Sequence, residues 1–144
     1  FSYDSEPGKR LVHLIREAIF EEVSKSEMPG LIFTYVWAFN EQDDWDYVNR
    51  ICDLFESRGA DIYFVELEAD LEERLKRNKT PNRLMHKPTK RNLEWSENDL
   101  LHSMEKYRLN SLPGEIAHPH YVRIDHTNLS PEETARLIQE AFQL

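Results

Sequence analysis

Apolar positions along the chain follow two spacings. Leu11, Leu14, Ile15, Ala18, Ile19 and Val23 recur at helical intervals. Ser5 is placed to cap that helix and Pro7 suits its first turn. Met28-Pro29-Gly30 breaks it. LIFTYVW, Leu31 to Trp37, is β-branched and aromatic with little interruption, the pattern of a strand covered on both faces. Trp45, Val48, Ile51, Cys52 and Phe55 return to the helical period, and Gly59 suits the end of that helix. DIYFVEL, Asp61 to Leu67, predicts a second buried strand. Asp70 with Glu73 has the spacing of a capping box. Ser96 with Asp99 predicts another helix start, ahead of Leu100, Met104 and Tyr107. YVRID, Tyr121 to Asp125, is the third strand, and Ser130-Pro131-Glu132-Glu133 opens the last helix.

Strands alternating with helices predict an α/β fold, a parallel sheet flanked by helices. The 144 residues suit one domain, 1–144, with no internal repeat or low-complexity tract. Pro81 and Pro88 break any long helix between Asn78 and Asn92, so 78–92 is expected to be a mobile flap with little core of its own.

Composition alters this picture in one place. Net charge is −9, which argues against general attraction to nucleic acid or anionic membranes. Yet Arg74 to Arg91 contains eight basic residues and no acidic one, while all 27 acids lie elsewhere. A cationic segment on an acidic body points to a local anionic ligand. The longest nearly apolar run, Gly30 to Phe39, is too short to span a bilayer, and no secretory signal is visible. The single cysteine, Cys52, excludes an internal disulfide, fits a cytoplasmic setting and lies on an apolar helix stripe as a buried thiol.

Candidate chemistry is sparse. SEPGKRLV, Ser5 to Val12, contains a Gly-Lys pair but is not a phosphate loop. Tyr3 stands where the first glycine belongs, and Arg10 stands where Ser or Thr would hold magnesium. Arginine suits phosphate because its planar fork pairs bidentately and stays charged. Arg74 and Arg77, three apart, share a helix face, and Arg83 and Arg91 lie in the flap. Trp37, Phe39 and Asn40 follow the first predicted strand, where open α/β sheets bind ligands, and are candidates for a substrate pocket or for plain core packing. Asp43, Asp44 and Asp46 read as helix-start acids. His118-Pro119-His120 with His126 lacks a cysteine partner and is interrupted by proline, so no metal site is expected.

The order of elements resembles the P-loop small-molecule kinases and AAA-type ATPases of the shikimate-kinase-like and adenylate-kinase-like branch. VELEADLEERLKRNKTPNR, Val65 to Arg83, looks like that family's strand, acid-capped helix and Arg-rich lid. VRIDHTNLSPEETARLIQ looks like its last strand and helix. The resemblance implies a three-layer P-loop NTPase-like sheet with lid 78–92, whose first strand, Walker A loop and first helix would precede Phe1. It implies Arg77 and Arg83 as catalytic phosphate ligands, Arg74 and Arg91 as further lid ligands, and Thr127 and Asn128 against the adenine. ATP and Mg2+ would bind mainly through upstream residues.

The expected function is therefore ATP-dependent phosphoryl transfer to a small-molecule hydroxyl, with the lid arginines closing over the phosphates. The rival is a degenerate P-loop protein that acts as a binding module. RNA binding through Arg74 to Arg91 ranks last, because the flap lacks interleaved aromatics for base stacking.

Overall fold

The computed structural model describes residues 1–2 and 5–144. Tyr3, the position that would carry the first glycine of a phosphate loop, lies outside the described residues. Among the described residues six α-helices and two strands follow in the order α1 (Glu6–Lys25), α2 (Gln42–Glu56), β1 (Phe64–Glu68), α3 (Leu71–Asn78), α4 (Pro81–His86), α5 (Leu93–Lys106), β2 (Tyr121–Asp125) and α6 (Pro131–Phe142). They gather into two compact units. One comprises Phe1–Val36 and Asp43–Ile62, the other Trp37–Gln42 and Tyr63–Leu144. The first is called the aromatic unit below and the second the sheet unit.

In the aromatic unit α1 begins where the sequence predicts. The Ser5 hydroxyl accepts from the Gly8 N–H at 3.1 Å. A Cβ on Gly8 would lie 2.0 Å from the Ser2 carbonyl oxygen, so this glycine serves a tight helix entry rather than a phosphate cradle. The interior is built from rings. Phe20, 3% exposed, meets Phe33 edge-on at 4.9 Å and Phe55 at 6.3 Å. Tyr35 stacks on Phe33, and Tyr47 leans on both. Two expectations fail here. The expected strand Leu31 to Trp37 forms no ladder with any described residue, because no strand lies beside Leu31 to Val36 to share hydrogen bonds. It remains extended, turning Phe33 and Tyr35 inward and leaving Ile32 and Val36 in solvent. The stripe Leu11, Leu14, Ile15 and Ile19 also faces solvent. The opposite side of α1, through Phe20 and Arg16, meets the rings instead.

The sheet unit contains a two-stranded parallel sheet, with Phe64 opposite Tyr121 and Glu68 opposite Asp125. Parallel pairing requires a long crossover, and α3, α4 and α5 supply it. β1 is not the evenly buried strand its apolarity predicts. Phe64, Glu66 and Glu68 are the more covered positions, while Val65 and Leu67 are exposed. β2 spans Tyr121 to Asp125 as predicted and buries Ile124. The SPEE start of α6 makes a full capping box, with Ser130 accepting from Glu133 N–H and the Glu133 carboxylate accepting from Ser130 N–H.

The flap is more ordered than its composition suggests. Thr80 caps α4 through Arg83 N–H, and Pro88–Lys90 forms a 3₁₀ turn. Asn78, 5% exposed, donates to the fully buried Ser96 hydroxyl at 2.8 Å, tying α3 to α5. Ser96 is therefore a core anchor, and α5 is capped by Asn92 instead. Asp70 is the N-cap residue of α3 but makes no side-chain cap, and the Glu73 side chain pairs with Arg77 and Lys76, so no capping box forms. Among the described residues no helix is long and apolar enough to cross a membrane.

Candidate phosphate-binding site

The basic segment divides into paired and unpaired cations. Lys76 pairs with Glu73, Lys79 with Glu97 and Lys90 with Asp99. Lys90 also sits over the Trp95 ring at 5.0 Å. Arg91 donates to the Leu84 carbonyl. Arg74 lies against Met104 sulfur at 3.3 Å. Arg83, on α4, and Lys87, just after it, are exposed and make no side-chain ion pair or hydrogen bond with a described residue.

Arg77 has the opposite character. Its Nε donates to Glu73 at 2.8 Å. One Nη donates to His126 Nδ1 at 2.8 Å, and the other to the carbonyls of His126 and Thr127, both at 2.9 Å. Because a guanidinium only donates, His126 Nδ1 must accept, which puts the imidazole proton on Nε2. Burial first, then the neighbouring Arg77 charge, push His126 below its ordinary pKa. Arg77 thus fastens the turn after β2 to α3, 49 residues earlier.

That turn is closed internally. Thr127 donates through N–H and Oγ1 to one Asp125 carboxylate oxygen, and Thr127 Oγ1 accepts from Asp70 N–H. These bonds hold Asp125 below its ordinary pKa. Asn128 is exposed beside it. Asp125, Thr127 and the Arg77 head lie at the carboxyl ends of both strands, where open parallel sheets bind ligands.

The other predicted residues serve packing. Trp37 stacks on Phe39 at 4.6 Å and tilts toward Phe64. Phe39 is 6% exposed and is covered by the Arg108 guanidinium. Asn40 donates to the Lys106 carbonyl and accepts from Arg108 N–H, so both ends of its amide hold the chain leaving α5. Among the described residues no group of three or more His, Cys, Asp or Glu is placed for a metal ion. His118 and His120 pack against Phe64 and Tyr63.

One polar centre was not anticipated. Glu66, its side chain 8% exposed, accepts from Asn110 Nδ2, Ser111 N–H, Ser111 Oγ and Tyr121 OH at 2.6–2.9 Å. Burial alone would raise its pKa, but hydrogen bonds from Ser111, Asn110 and Tyr121 outweigh that and hold it at about 2. Its acceptor positions are filled, so it fixes the loop after α5 to the sheet and is not placed as a general base. An acid in the middle of an otherwise apolar strand, DIYFVEL, was the available signal. Arg108, forked onto Glu115, secures the same loop.

No protein-family model, curated protein or solved structure matches the chain.

Proposed function

We propose that this chain is part of an ATP-dependent small-molecule kinase of the P-loop type, with α4 and the following 3₁₀ turn as its phosphate-facing lid. The observation that carries the reading is the division within the basic segment. Arg77 is consumed in holding the turn after β2, whereas Arg83 and Lys87 remain exposed without an acidic partner. A cation meant to close over a phosphate must be left unneutralised, and a lid must carry it on a lightly packed element. Arg83 is thus the first residue assigned to the phosphates, with Lys87 beside it. Arg91 and Arg74 are secondary, and Arg77 is a positioning residue. Thr127 and Asn128 would border the base, and Trp37, Phe39 and Asn40 would support the acceptor side from within the core. Magnesium and most phosphate contacts would be supplied by residues outside this chain.

The test is ATP affinity with and without Mg2+ of a form that includes those further residues, together with transfer to a panel of small hydroxyl acceptors. Arg83→Gln should weaken ATP binding about tenfold, the scale of one charge-assisted hydrogen bond, with unchanged thermal stability. Arg77→Gln should instead destabilise the fold by about 2 kcal/mol through loss of its bonds to the 126–127 turn. If Arg83→Gln leaves ATP affinity unchanged, the kinase reading fails. A non-catalytic binding module is then favoured, a reading that the structural commitments of Arg77, Asn40 and Thr127 support.

A further inference from the structure

Leu31 to Val36, in the aromatic unit, has the extended backbone of a strand and none of its bonds. No backbone N–H or C=O group of these residues bonds to a described residue. Backbone polar groups are strong donors and acceptors, and an extended run that leaves them open is a template for another chain. Alternation gives the run two faces. Phe33 and Tyr35 meet the rings of Phe20 and Tyr47. Ile32, Thr34 and Val36 point the other way, with Ile32 94% and Val36 74% exposed. All three are β-branched, the shape that packs well on a pleated ladder. Natural edges are usually blunted by a charge or a proline. Neither occurs within 31–36.

Two observations select a second copy of this chain as the partner. The first is charge. At a net −9 two copies repel over most of their surface. Met28 to Asn40 is the longest run without Asp, Glu, Lys or Arg, so repulsion is least here and a charged peptide finds nothing to pair with. The second is symmetry. A two-fold axis relates two strands of one sheet, same face up, only when they run antiparallel. Centred on Thr34, such a pair sets Thr34 opposite Thr34 and Ile32 opposite Val36 on the outer face. It sets Phe33 opposite Tyr35 on the ring-facing side. The run therefore matches itself when reversed, and directly opposed side chains are the ones that stabilise a ladder.

We infer that two copies of the chain join edge to edge along 31–36, antiparallel about an axis at Thr34, by β-addition. The surface lies wholly in the aromatic unit and involves none of the residues assigned to phosphate.

The experiment is sedimentation velocity of the 144-residue chain over a range of concentrations. It should show a monomer–dimer equilibrium with a micromolar dissociation constant, in the absence of ATP. Thr34→Pro removes the amide at the axis, and Thr34→Lys keeps it but sets like charges face to face. Each should weaken the dimer about tenfold or more. Thr34 is exposed, so Thr34→Lys should leave the melting temperature of the dilute monomer unchanged. Cysteine placement reads the register, with Cys52, the free thiol, changed to Ala. Thr34→Cys should oxidise readily to a covalent dimer, because position 34 faces itself within disulfide reach. Ile32→Cys alone should not, whereas Ile32→Cys mixed with Val36→Cys should. Three results would each overturn the inference: a chain that stays monomeric up to millimolar concentration, a dimer indifferent to both Thr34 variants, or cross-linking at position 32 as ready as at 34. None of them bears on ATP affinity, so this inference and the kinase reading stand or fall separately.

Discussion

The two units are held by different physics. In the aromatic unit Phe20, Phe33, Phe55, Tyr35 and Tyr47 meet ring to ring, and the ion pairs Arg50–Glu17 and Arg58–Glu21 lie in partly exposed positions where such pairs contribute little. In the sheet unit two charged side chains with several hydrogen bonds each, Glu66 and Arg77, gather distant segments. A ring cluster loses stability in proportion to the volume removed. A charged centre loses it when the charge changes. The units should therefore respond to different perturbations.

Phe20→Ala should have the largest effect. The ring is almost fully buried and touches two others, so truncation removes transfer energy and opens a cavity, about 3–5 kcal/mol together. Chemical denaturation followed by amide NMR should show the loss first at α1 and α2. Equal loss at β1 and β2 would mean that the two units unfold as one.

Acid and alkali should then separate the units. Glu66 has an ordinary value of 4.5 and sits at about 2 in the folded chain. Its folded value is depressed, so its contribution is complete above pH 4.5 and is lost as pH falls toward 2. That depression corresponds to about 3 kcal/mol. His126 acts in the same direction and earlier. Its folded value is also depressed, so stability declines once pH drops below the ordinary 6.5 and the folded state resists the proton that would break the Arg77 bond. Tyr35 works the other way. Burial, then its hydrogen bond to Asp44, raise it above 10.0, so its contribution is complete below pH 10 and is lost as pH rises beyond that. Amide signals of β1 and β2 should therefore weaken first in acid, and those around Tyr35 first in alkali. The reverse order would contradict this account of both centres. Glu66→Gln should flatten the acid limb while leaving the alkaline one in place.

How much of this was legible beforehand depends on the range of the interaction. The start of α1, the turn at the left-handed Gly59 that follows the end of α2, β2 and the capping box of α6 are set by residues within a few positions of one another, and local pattern located them. Leu31 to Val36 has strand composition, but a strand exists only where a neighbour shares its hydrogen bonds, and composition does not report a neighbour. Arg77 was visible as a cation suited to phosphate. Its partners His126 and Thr127 are 49 and 50 residues away, and they turn it from a candidate ligand into a clamp.

That stripe supplies the smallest effect and a sharp contrast with Phe20. Leu14 and Ile15 look like core positions in the sequence, yet their exposures are 62% and 58%. Side chains already in water lose little when shortened, because the transfer term scales with the area withdrawn from solvent. Leu14→Ser and Ile15→Ser should each change stability by less than about 0.5 kcal/mol, as substitutions at exposed positions do. Phe20, about one and a half turns further along the same helix, should cost several times more on truncation. Denaturation midpoints at several protein concentrations would check this. A loss of about 2 kcal/mol at Ile15 that grows with protein concentration would show that the stripe is covered by a second copy in solution. A concentration-independent loss of that size would mean that the stripe is buried within the chain itself, and the outward orientation of α1 would be wrong.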